Sequence, residues 1–335
     1  MNITNKDNIN LYYEMLRIRM IEEAIATHYA NQKMRTPVHL SIGQEAAAVA
    51  SGFALRKTDY AVSSHRAHAH YLAKGGNLNA MIAEIHGKVT GCCRGRGGSM
   101  HLIDPSVGFM GSTAIVGNTI PIGVGLGLSL QLNQDNRICC IYLGDGAIEE
   151  GVFYESLNFA VLKKLPILFI CENNLYSVYT PLHKRQPLNR KIHEMVAAIG
   201  AKTALVTEGY DVLACVDALQ DMSAYVRSGN GVGFVEIYTY RYREHCGPNY
   251  DNDIGYRHIA EYESWLAKDS ISLFQKKLIQ EKIINPDELE KITSKIKAEI
   301  ECAFEFAEKS VFPDKIEATS GEYAKKIQEE VICVN

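Results

Sequence analysis

The sequence predicts an α/β protein with a mostly parallel sheet flanked by helices. Residues 137–146 (RICCIYLGDG) and 165–174 (LPILFICENN) are short apolar runs that stop on polar or glycine residues, a pattern typical of buried parallel strands. Between them, a set of residues recurs at helical spacing, with acidic residues early and lysines late: Phe153, Leu157, Ala160, Val161 and Lys164. Strand, helix and strand in this order form the unit of a parallel sheet.

Polar residues follow both predicted strands, at the edge where open α/β sheets bind ligands. Asp145 stands between Gly144 and Gly146, and Asn174 ends the second strand. A carboxylate, an amide oxygen and a nearby main-chain carbonyl suit Mg²⁺, which usually shares its coordination with phosphates. The glycines let a phosphate approach the main chain, and a helix from about Ile148 would offer its N-terminus. A Gly-Asp-Gly motif on its own is more often a plain turn.

The regions on either side of this unit are predicted to be helical. We divide the chain into a helical N-terminal arm (1–30), an α/β domain (31–257) and a helical C-terminal part (258–335). In the last part, Asn285 is a typical helix cap and Pro286 a typical first helical residue. An apolar stripe follows, which either packs in the core or contacts another subunit: Leu289, Ile292, Ile296, Ile300, Phe304 and Ala307.

Residues 121–132 (PIGVGLGLSLQL) are unusually rich in glycine for a helix. Gly123, Gly125 and Gly127 each cost a helix about 1 kcal/mol relative to alanine. We expect the close approach of another backbone to compensate for this cost.

The composition excludes several classes of partner. The chain of 335 residues is 47% hydrophobic and 22% charged and has a net charge of −4, so neither nucleic acid nor an anionic membrane is expected as a partner. No apolar run approaches the roughly 20 residues of a membrane span, and residues 1–10 lack the features of a signal peptide. The nine cysteines contain no C-x-x-C motif, which favours a reducing compartment and predicts a cytoplasmic protein.

The order of the motifs resembles a known family. GDG, followed by 26 residues and NN, resembles the fingerprint of thiamine-diphosphate enzymes. More closely, residues 11–257 resemble the alpha subunit of the first component of 2-oxo acid and acetoin dehydrogenase complexes, through eight motifs in family order: LYYEMLRIRMIEEA, HLSIGQEA, SHRAHAHYLAKG, GRGGSMH, AIVG, GDGAIEEG, ENNLYSV and YRYREH. The resemblance implies the thiamine-diphosphate-binding fold, with thiamine diphosphate and Mg²⁺ as cofactors.

The resemblance also implies roles for particular residues. His68 and His245 match active-site histidines of the family, and His245 would also lie close to the cofactor diphosphate. The metal ligands would be Asp145, Asn174 and the carbonyl of Tyr176. The other cofactor contacts would come from His65, Arg66, Ala114, Val116, Gly144, Gly146 and Ala147.

Three positions depart from the family pattern. His65 stands where many relatives have tyrosine, and Ala114 stands where they usually have glycine, so a positive φ there would strain the alanine. After YRYREH the loop reads CGPNYDNDIGYR, in which Cys246 replaces the usual first serine and could not be phosphorylated by a family kinase. The two carboxylates of this loop are expected to change the charge of the entrance that a lipoyl domain must pass.

Two stretches admit a second interpretation. SHRAHAH contains His65, His68 and His70 without the cysteine or glutamate partners of a zinc site, and it is otherwise typical of a solvated surface run. GCCRGRGGSMH is otherwise typical of a flexible basic loop. By resemblance it belongs beside the active-site entrance, with Arg94, Arg96, Ser99 and His101.

The carboxylic acid that thiamine chemistry requires is not identified in this chain. A glutamate must protonate the aminopyrimidine, and in the family it belongs to the beta subunit. Glu45 of GQEA is a candidate by residue type, but that segment is not the proton relay of relatives. We therefore predict half of an active site, completed by a beta subunit in an α₂β₂ heterotetramer, with a lipoyl-bearing acyltransferase core as a further partner.

The predicted function is decarboxylation of a pyruvate-like 2-oxo acid, or cleavage of acetoin, followed by acyl transfer to a lipoyl group. An alternative is a synthase-like relative that passes the acyl carbanion to a non-lipoyl acceptor, for example in sugar metabolism. A non-catalytic phosphate binder would leave the eight ordered motifs unexplained. Neighbouring genes for a lipoyl-bearing core or for a biosynthetic cluster would separate the first two.

Overall fold

The structure, a computed structural model, describes residues 3–319, so the end of the predicted C-terminal part (320–335) lies outside the described residues. The helices are α1 (Asn5–Tyr29), α2 (Glu45–Ala54), α3 (His68–Ala73), α4 (Leu78–Ile85), α5 (Thr119–Leu132), α6 (Gly151–Lys163), α7 (Leu182–Arg185), α8 (Ile192–Ile199), α9 (Val212–Arg227), α10 (Ile259–Leu266), α11 (Ser270–Gln280) and α12 (Pro286–Lys309). The strands are β1 (Tyr60–Ser63), β2 (Phe109–Ser112), β3 (Cys139–Gly144), β4 (Ile167–Asn173), β5 (Tyr176–Ser177), β6 (Thr180–Pro181), β7 (Lys202–Val206) and β8 (Gly233–Tyr238). Among residues 3–319, no helix combines the length and the apolar character needed to cross a membrane.

Six strands form one parallel sheet in the order β2-β1-β3-β4-β8-β7, which confirms the predicted architecture. After β1 the chain forms the edge strand β2 on one side of β1, and it then crosses over to form β3 on the other side of β1. The carboxyl ends of β1 and β3 are therefore the switch point, where open α/β sheets bind ligands. Gly144 of β3 pairs with Glu172 of β4, so the residues that follow both strands lie at the same edge.

Side chains of the central strands alternate between two buried layers. Cys140 and Tyr142 of β3 pack with α1–α4, α9, α11 and α12, whereas Ile141 and Leu143 pack with α5, α6 and α8. This alternation follows from the two-residue period of a strand. It places the sheet between two helical layers and leaves the strand ends free to carry a site.

The helix between β3 and β4 begins later than the sequence suggested. A 3₁₀ turn, Asp145–Glu149, follows β3, and α6 starts only at Gly151 because Glu150 has an extended backbone (φ −74°, ψ 133°). The predicted face of this helix is buried at Phe153, Leu157 and Ala160 and half-buried at Val161. Lys164 was wrongly included, because it is exposed and ends the helix in a left-handed conformation. The expectation of a helix start at about Ile148 is therefore wrong, since α6 begins three residues later.

The glycines of α5 pack against side chains of the sheet. A Cβ on Gly123 would lie 2.5 Å from Cγ1 of Ile141, and a Cβ on Gly127 would lie 2.6 Å from Cγ1 of Ile167. A Cβ on Gly125 would meet nothing within 4 Å in the described chain. For Gly123 and Gly127 the expectation of close contact with another backbone is wrong, because isoleucine side chains of the strands restrict these positions. For the exposed Gly125 it stays a prediction.

Both long terminal helices pack on the main core. A capping box joins Thr4 to Asp7 at the start of α1, and a second one joins Asn285 to Glu288 at the predicted start of α12. α1 contacts α2, α11 and α12, and α12 also contacts α4. The apolar stripe of α12 is buried or half-buried at all six positions, which confirms its interpretation as core.

Candidate active site

A cavity of about 120 Å³ opens at the switch point of the sheet. Ten of the twelve residues predicted for the site line it: His65, Arg66, Val116, Gly144, Asp145, Gly146, Ala147, Asn174, Tyr176 and His245. The lining also contains residues that the sequence had not indicated: Gln44, Ser64, Glu172, Ser177 and Val178. Clefts of about 730 and 630 Å³ lie elsewhere, but the first holds none of the predicted residues and the second holds only Tyr176. The side-chain chemistry therefore favours the smaller cavity as the site.

Asp145 lies directly after β3 and is 1% exposed. Its carboxylate accepts a hydrogen bond from Arg185, which also lies 2.5 Å from Oε1 of Glu149. Burial raises the pKa of the Asp145 carboxyl, and the charge of Arg185 acts in the opposite direction. The buried carboxylate of Asp145 is thus paired with a positive charge at the end of β3.

The segment after β4 distinguishes between the two asparagines. Asn173 donates its Nδ2 to Glu236 at 2.8 Å and accepts from the Leu175 N–H at 3.1 Å, so its side chain serves the structure. Asn174 and Tyr176 line the cavity. Leu175 between them has a φ of 70°, and such strained non-glycine residues cluster at functional sites. Oδ1 of Asn174 also accepts a hydrogen bond, from the Tyr176 N–H at 3.2 Å, so it is the place of Asn174 in the cavity lining that favours it over Asn173 as a ligand.

Arg66 follows β1 and is 6% exposed. Its Nη1 donates to the carbonyl of Leu40 at 2.6 Å, and its Nη2 donates to the carbonyl of His245 at 3.1 Å. Burial, and next the charge of Arg241, lower the pKa of Arg66 to about 10, so the guanidinium stays charged at neutral pH. Because these two hydrogen-bond partners are neutral, its positive charge is available to an anion in the cavity.

Three histidines meet beside Arg66. The ring centroids of His39 and His65 are 4.6 Å apart, and His245 lies 5.1 Å from His39 and 5.3 Å from His65. Burial lowers the pKa to about 2 for His39, about 4 for His65 and about 3 for His245, so all three imidazoles are neutral at pH 7. His39 was not expected here, although it opens the HLSIGQEA motif.

Glu172 and Gln44 form a buried polar network at the cavity. Nε2 of Gln44 donates to Glu172 at 2.9 Å, and Nδ2 of Asn174 donates to Gln44 at 3.2 Å. Oε1 of Glu172 lies 3.0 Å from Nε2 of His70, which is therefore buried and not part of a solvated run. The sequence analysis did not predict Glu172 as a site residue. Its position directly before the asparagine pair, at the end of a strand, could have indicated it.

Comparisons with known proteins agree with this geometry. Residues 13–315 match the family described as Dehydrogenase E1 component. The chain belongs to the dehydrogenase E1 component family. The chloroplastic pyruvate dehydrogenase E1 component subunit alpha-3 of Arabidopsis thaliana is 37% identical over 330 residues, which cover 96% of this chain and 76% of the relative.

Two further relatives match almost end to end. The pyruvate dehydrogenase E1 component subunit alpha of Rickettsia conorii is 34% identical over 312 residues, covering 93% of this chain and 94% of the relative. That of Porphyra purpurea is 35% identical over 320 residues, covering 93% and 92%. Within the dehydrogenase E1 component family the chain is thus an alpha-type subunit, as its motifs predicted. One relative is chloroplastic by name, so the cytoplasmic location stays a prediction.

Two predicted site residues of this E1 chain lie outside the cavity lining. His68 is fully buried, with Nδ1 at 3.1 Å from Oε1 of Glu22 and Nε2 at 2.8 Å from Oγ of Ser99. Ala114 lies in the segment before α5, and the described residues with positive φ do not include it, so the anticipated strain is absent. The roles of both residues toward a cofactor stay predictions.

The glycine-rich loop of the E1 chain, residues 91–101, is folded around a buried carboxylate. Oε2 of Glu84 accepts the backbone N–H groups of Cys93 and Gly95 at 2.7 and 2.9 Å. Its Oε1 accepts those of Gly97 and Gly98 at 2.6 and 3.0 Å. Four hydrogen bonds to one charged group fix the backbone, so the interpretation as a flexible loop is wrong.

The loop that follows β8 in the E1 chain is anchored by Asp251. This residue is 3% exposed, and its carboxylate accepts from Arg257 at 2.5 Å and from the Tyr256 hydroxyl at 2.7 Å. The expectation that both carboxylates of the loop alter the charge of the entrance is therefore wrong. Asp253 is exposed, whereas the charge of Asp251 is neutralised in the interior.

Proposed function

We propose that this chain is the alpha half of a thiamine-diphosphate-dependent pyruvate dehydrogenase first component. With a beta subunit, in an α₂β₂ heterotetramer, it decarboxylates the 2-oxo acid and passes the acyl group to a lipoyl group on an acyltransferase core. The observation that carries this proposal is that ten predicted site residues line one cavity at the switch point of the sheet. The names of the relatives favour pyruvate among the 2-oxo acids.

The donors around Asp145 fit a magnesium ion. Asp145 would supply a carboxylate, Asn174 an amide oxygen and Tyr176 a main-chain carbonyl, and diphosphate oxygens and water would complete the octahedral set that Mg²⁺ prefers. The ion pair between Asp145 and Arg185 supports this assignment, because it shows that the carboxylate accepts a positive charge at this place.

The turn after β3 fits a phosphate. A Cβ on Gly146 would lie 2.8 Å from Oγ of Ser177, so only glycine leaves the main chain of residues 144–147 open on that side. Gly144, Gly146 and Ala147 would present backbone groups to the diphosphate.

The opposite wall supplies charge and ring donors. Arg66 would pair with the diphosphate, and the neutral rings of His65 and His245 would each donate an N–H to it. The main chain of Ala114 and Val116 would hold the aminopyrimidine end, with Val116 already in the lining.

When bound, thiamine diphosphate supplies the carbon nucleophile that attacks the keto carbon and the electron sink for loss of CO₂. Nδ1 of His245 lies 3.4 Å from Nη2 of Arg66, so the one N–H of this neutral imidazole is on Nε2, and that is the atom that would donate to the diphosphate. We assign His68 a positioning role, because Glu22 and Ser99 engage both of its nitrogens and tie α3 to α1 and to the glycine-rich loop.

The site is incomplete in this chain. The cavity of about 120 Å³ is far smaller than the roughly 300–1,000 Å³ of typical ligand pockets. Glu45 is fully buried, pairs with Arg19 at 2.5 Å and accepts the Gly43 N–H, so it serves the structure and is no proton relay. Glu172, which lines the cavity, is also engaged, with His70 at Oε1 and Gln44 at Oε2, so the acid that the chemistry requires would come from the beta subunit.

Replacing Arg185 with leucine is expected to raise the affinity for Mg²⁺ about tenfold, or about 1.4 kcal/mol. The Arg185 guanidinium contacts a carboxylate oxygen of Asp145, and a metal ion bound there would have to displace it. The measurement is the Mg²⁺ concentration that half-saturates thiamine diphosphate binding. Lys184→Leu removes the same charge from an exposed neighbour and should change little. Weaker binding by Arg185→Leu would show instead that the arginine helps to hold the cofactor.

Reductive acylation tests the proposed acceptor. Given pyruvate and a free lipoyl domain, the reconstituted heterotetramer is expected to acetylate the domain, measured as a gain in mass by mass spectrometry. A domain whose lipoyl-bearing lysine is replaced by alanine is the control. Pyruvate decarboxylation without acylation would favour the synthase-like alternative, which the altered sequence of residues 244–257 would then explain.

A further inference from the structure

The three histidines at the wall of the cavity come from separate parts of the chain. His39 lies before α2, His65 follows β1, and His245 lies in the irregular segment between β8 and α10. One ring nitrogen of each lies within 4.8 Å of those of the other two. Residues this far apart in sequence meet only because the fold brings the three segments together.

His39 is the most buried of the three, with 7% exposure, and its Nδ1 has no hydrogen-bond partner. A buried ring nitrogen without a partner costs free energy, and a bound ion can satisfy such an atom. At least one ring nitrogen of His39 is therefore left without a hydrogen bond in the described structure.

We propose that His39, His65 and His245 form a binding site for a divalent transition metal ion of the zinc class. Its ligands differ from those proposed for magnesium, and because His65 and His245 are also proposed contacts of the diphosphate, the metal binds when no diphosphate lies against this wall. Three imidazoles and one open position are the ligand set of many catalytic zinc sites. Zinc, copper and nickel favour imidazole nitrogen, whereas Mg²⁺ favours oxygen, so the two sites differ in the ions they select.

The geometry needs only small movements. Nitrogen ligands on a tetrahedral Zn²⁺, at bonds of about 2.0–2.1 Å, lie about 3.4 Å apart. Since the ring nitrogens already lie within 4.8 Å, ring rotation and a shift of the His245 segment close the remaining distance. Water, or an anionic oxygen attracted by Arg66, takes the fourth position.

The protonation state favours metal binding. Burial is the largest cause that lowers the pKa of all three rings, so the metal displaces no proton at neutral pH. The positive charge of Arg66 opposes a cation, and the carboxylates of Glu22 and Glu172 near Arg66 offset part of this repulsion.

A second group of potential ligands, Glu84, Cys92 and Cys93, is a weaker candidate. Both oxygens of Glu84 already accept backbone N–H groups of the glycine-rich loop, so that carboxylate is not free to bind an ion. This group provides a control for the test.

Cobalt titration tests the proposal without reference to enzyme activity. The full-length chain, in the assembly in which it purifies, is stripped of metal with a chelator and titrated with Co²⁺ in the absence of thiamine diphosphate. We expect one Co²⁺ per chain with the strong visible absorption of a tetrahedral nitrogen site, and we expect Zn²⁺ to displace it. His39→Gln and His65→Tyr each remove one ligand and should weaken Co²⁺ binding at least tenfold.

Two controls separate this site from other metal ligands. His183→Gln alters an exposed histidine, and the double variant Cys92→Ser, Cys93→Ser alters the rival group, so both should bind Co²⁺ like the wild type. Absence of the tetrahedral spectrum in the wild type, or unchanged binding in His39→Gln or in His65→Tyr, overturns the proposal and leaves the proposed function untouched. Circular dichroism checks the fold of each variant, and if one ligand variant does not fold, the other decides.

Discussion

Replacing Asp145 with alanine is expected to reduce Mg²⁺-dependent binding of thiamine diphosphate at least a hundredfold, or about 2.7 kcal/mol. Asp145 is the one charged group among the three proposed metal ligands, and its carboxylate is almost fully buried at the end of β3. Without it, Asn174 and the carbonyl of Tyr176 offer only neutral oxygens, which hold Mg²⁺ weakly. The measurement is calorimetric titration of the assembly with thiamine diphosphate at fixed Mg²⁺.

Two variants make this result interpretable. Asp135→Ala removes a half-exposed aspartate that pairs with Arg137 before β3, and it should bind like the wild type. Asp145→Asn keeps the shape of the side chain and removes its charge, so it should lose most of the affinity with less disturbance of Arg185. Wild-type affinity in a folded Asp145→Ala protein would refute the ligand assignment.

The purified chain alone is expected to decarboxylate pyruvate slower than the α₂β₂ assembly by on the order of a thousandfold or more. The cavity in this chain is small, and Glu45, its candidate acid, is held by Arg19 and Gly43. A positioned acid typically contributes a factor of about 10²–10⁴, and the missing wall adds the loss of substrate positioning. The measurement is CO₂ release from pyruvate by equal amounts of chain with and without the beta subunit.

An assembly built with the Asp145→Ala chain is the matched control, since it contains the partner but lacks the proposed metal ligand. It should assemble and remain inactive, which separates association from catalysis. Robust turnover by the single chain, after gel filtration has excluded the partner, would contradict the proposal that this chain carries only half of the active site.

The sheet and the residues that meet at its edge could be predicted because both follow from local patterns. Strands β3 and β4 are apolar runs that are followed by polar residues. Because the two strands are parallel, their carboxyl ends lie at the same edge of the sheet. Asp145 and Asn174 were therefore predictable as neighbours without knowledge of the remaining topology. The start of α6 was not, because one extended residue, Glu150, delays the helix without any marked change in composition.

By itself, the sequence determined the α/β class, the family motifs and most of the cavity lining, since periodicity and strand ends are properties of short segments. Only the tertiary structure decided which charged and ring groups pair. Arg185 meets Asp145 across 40 residues, His39 joins two distant histidines, and Asp251 is neutralised in the interior. The physical reason is that burial and pairing of a polar side chain depend on what other segments pack against it, and no short pattern encodes those partners.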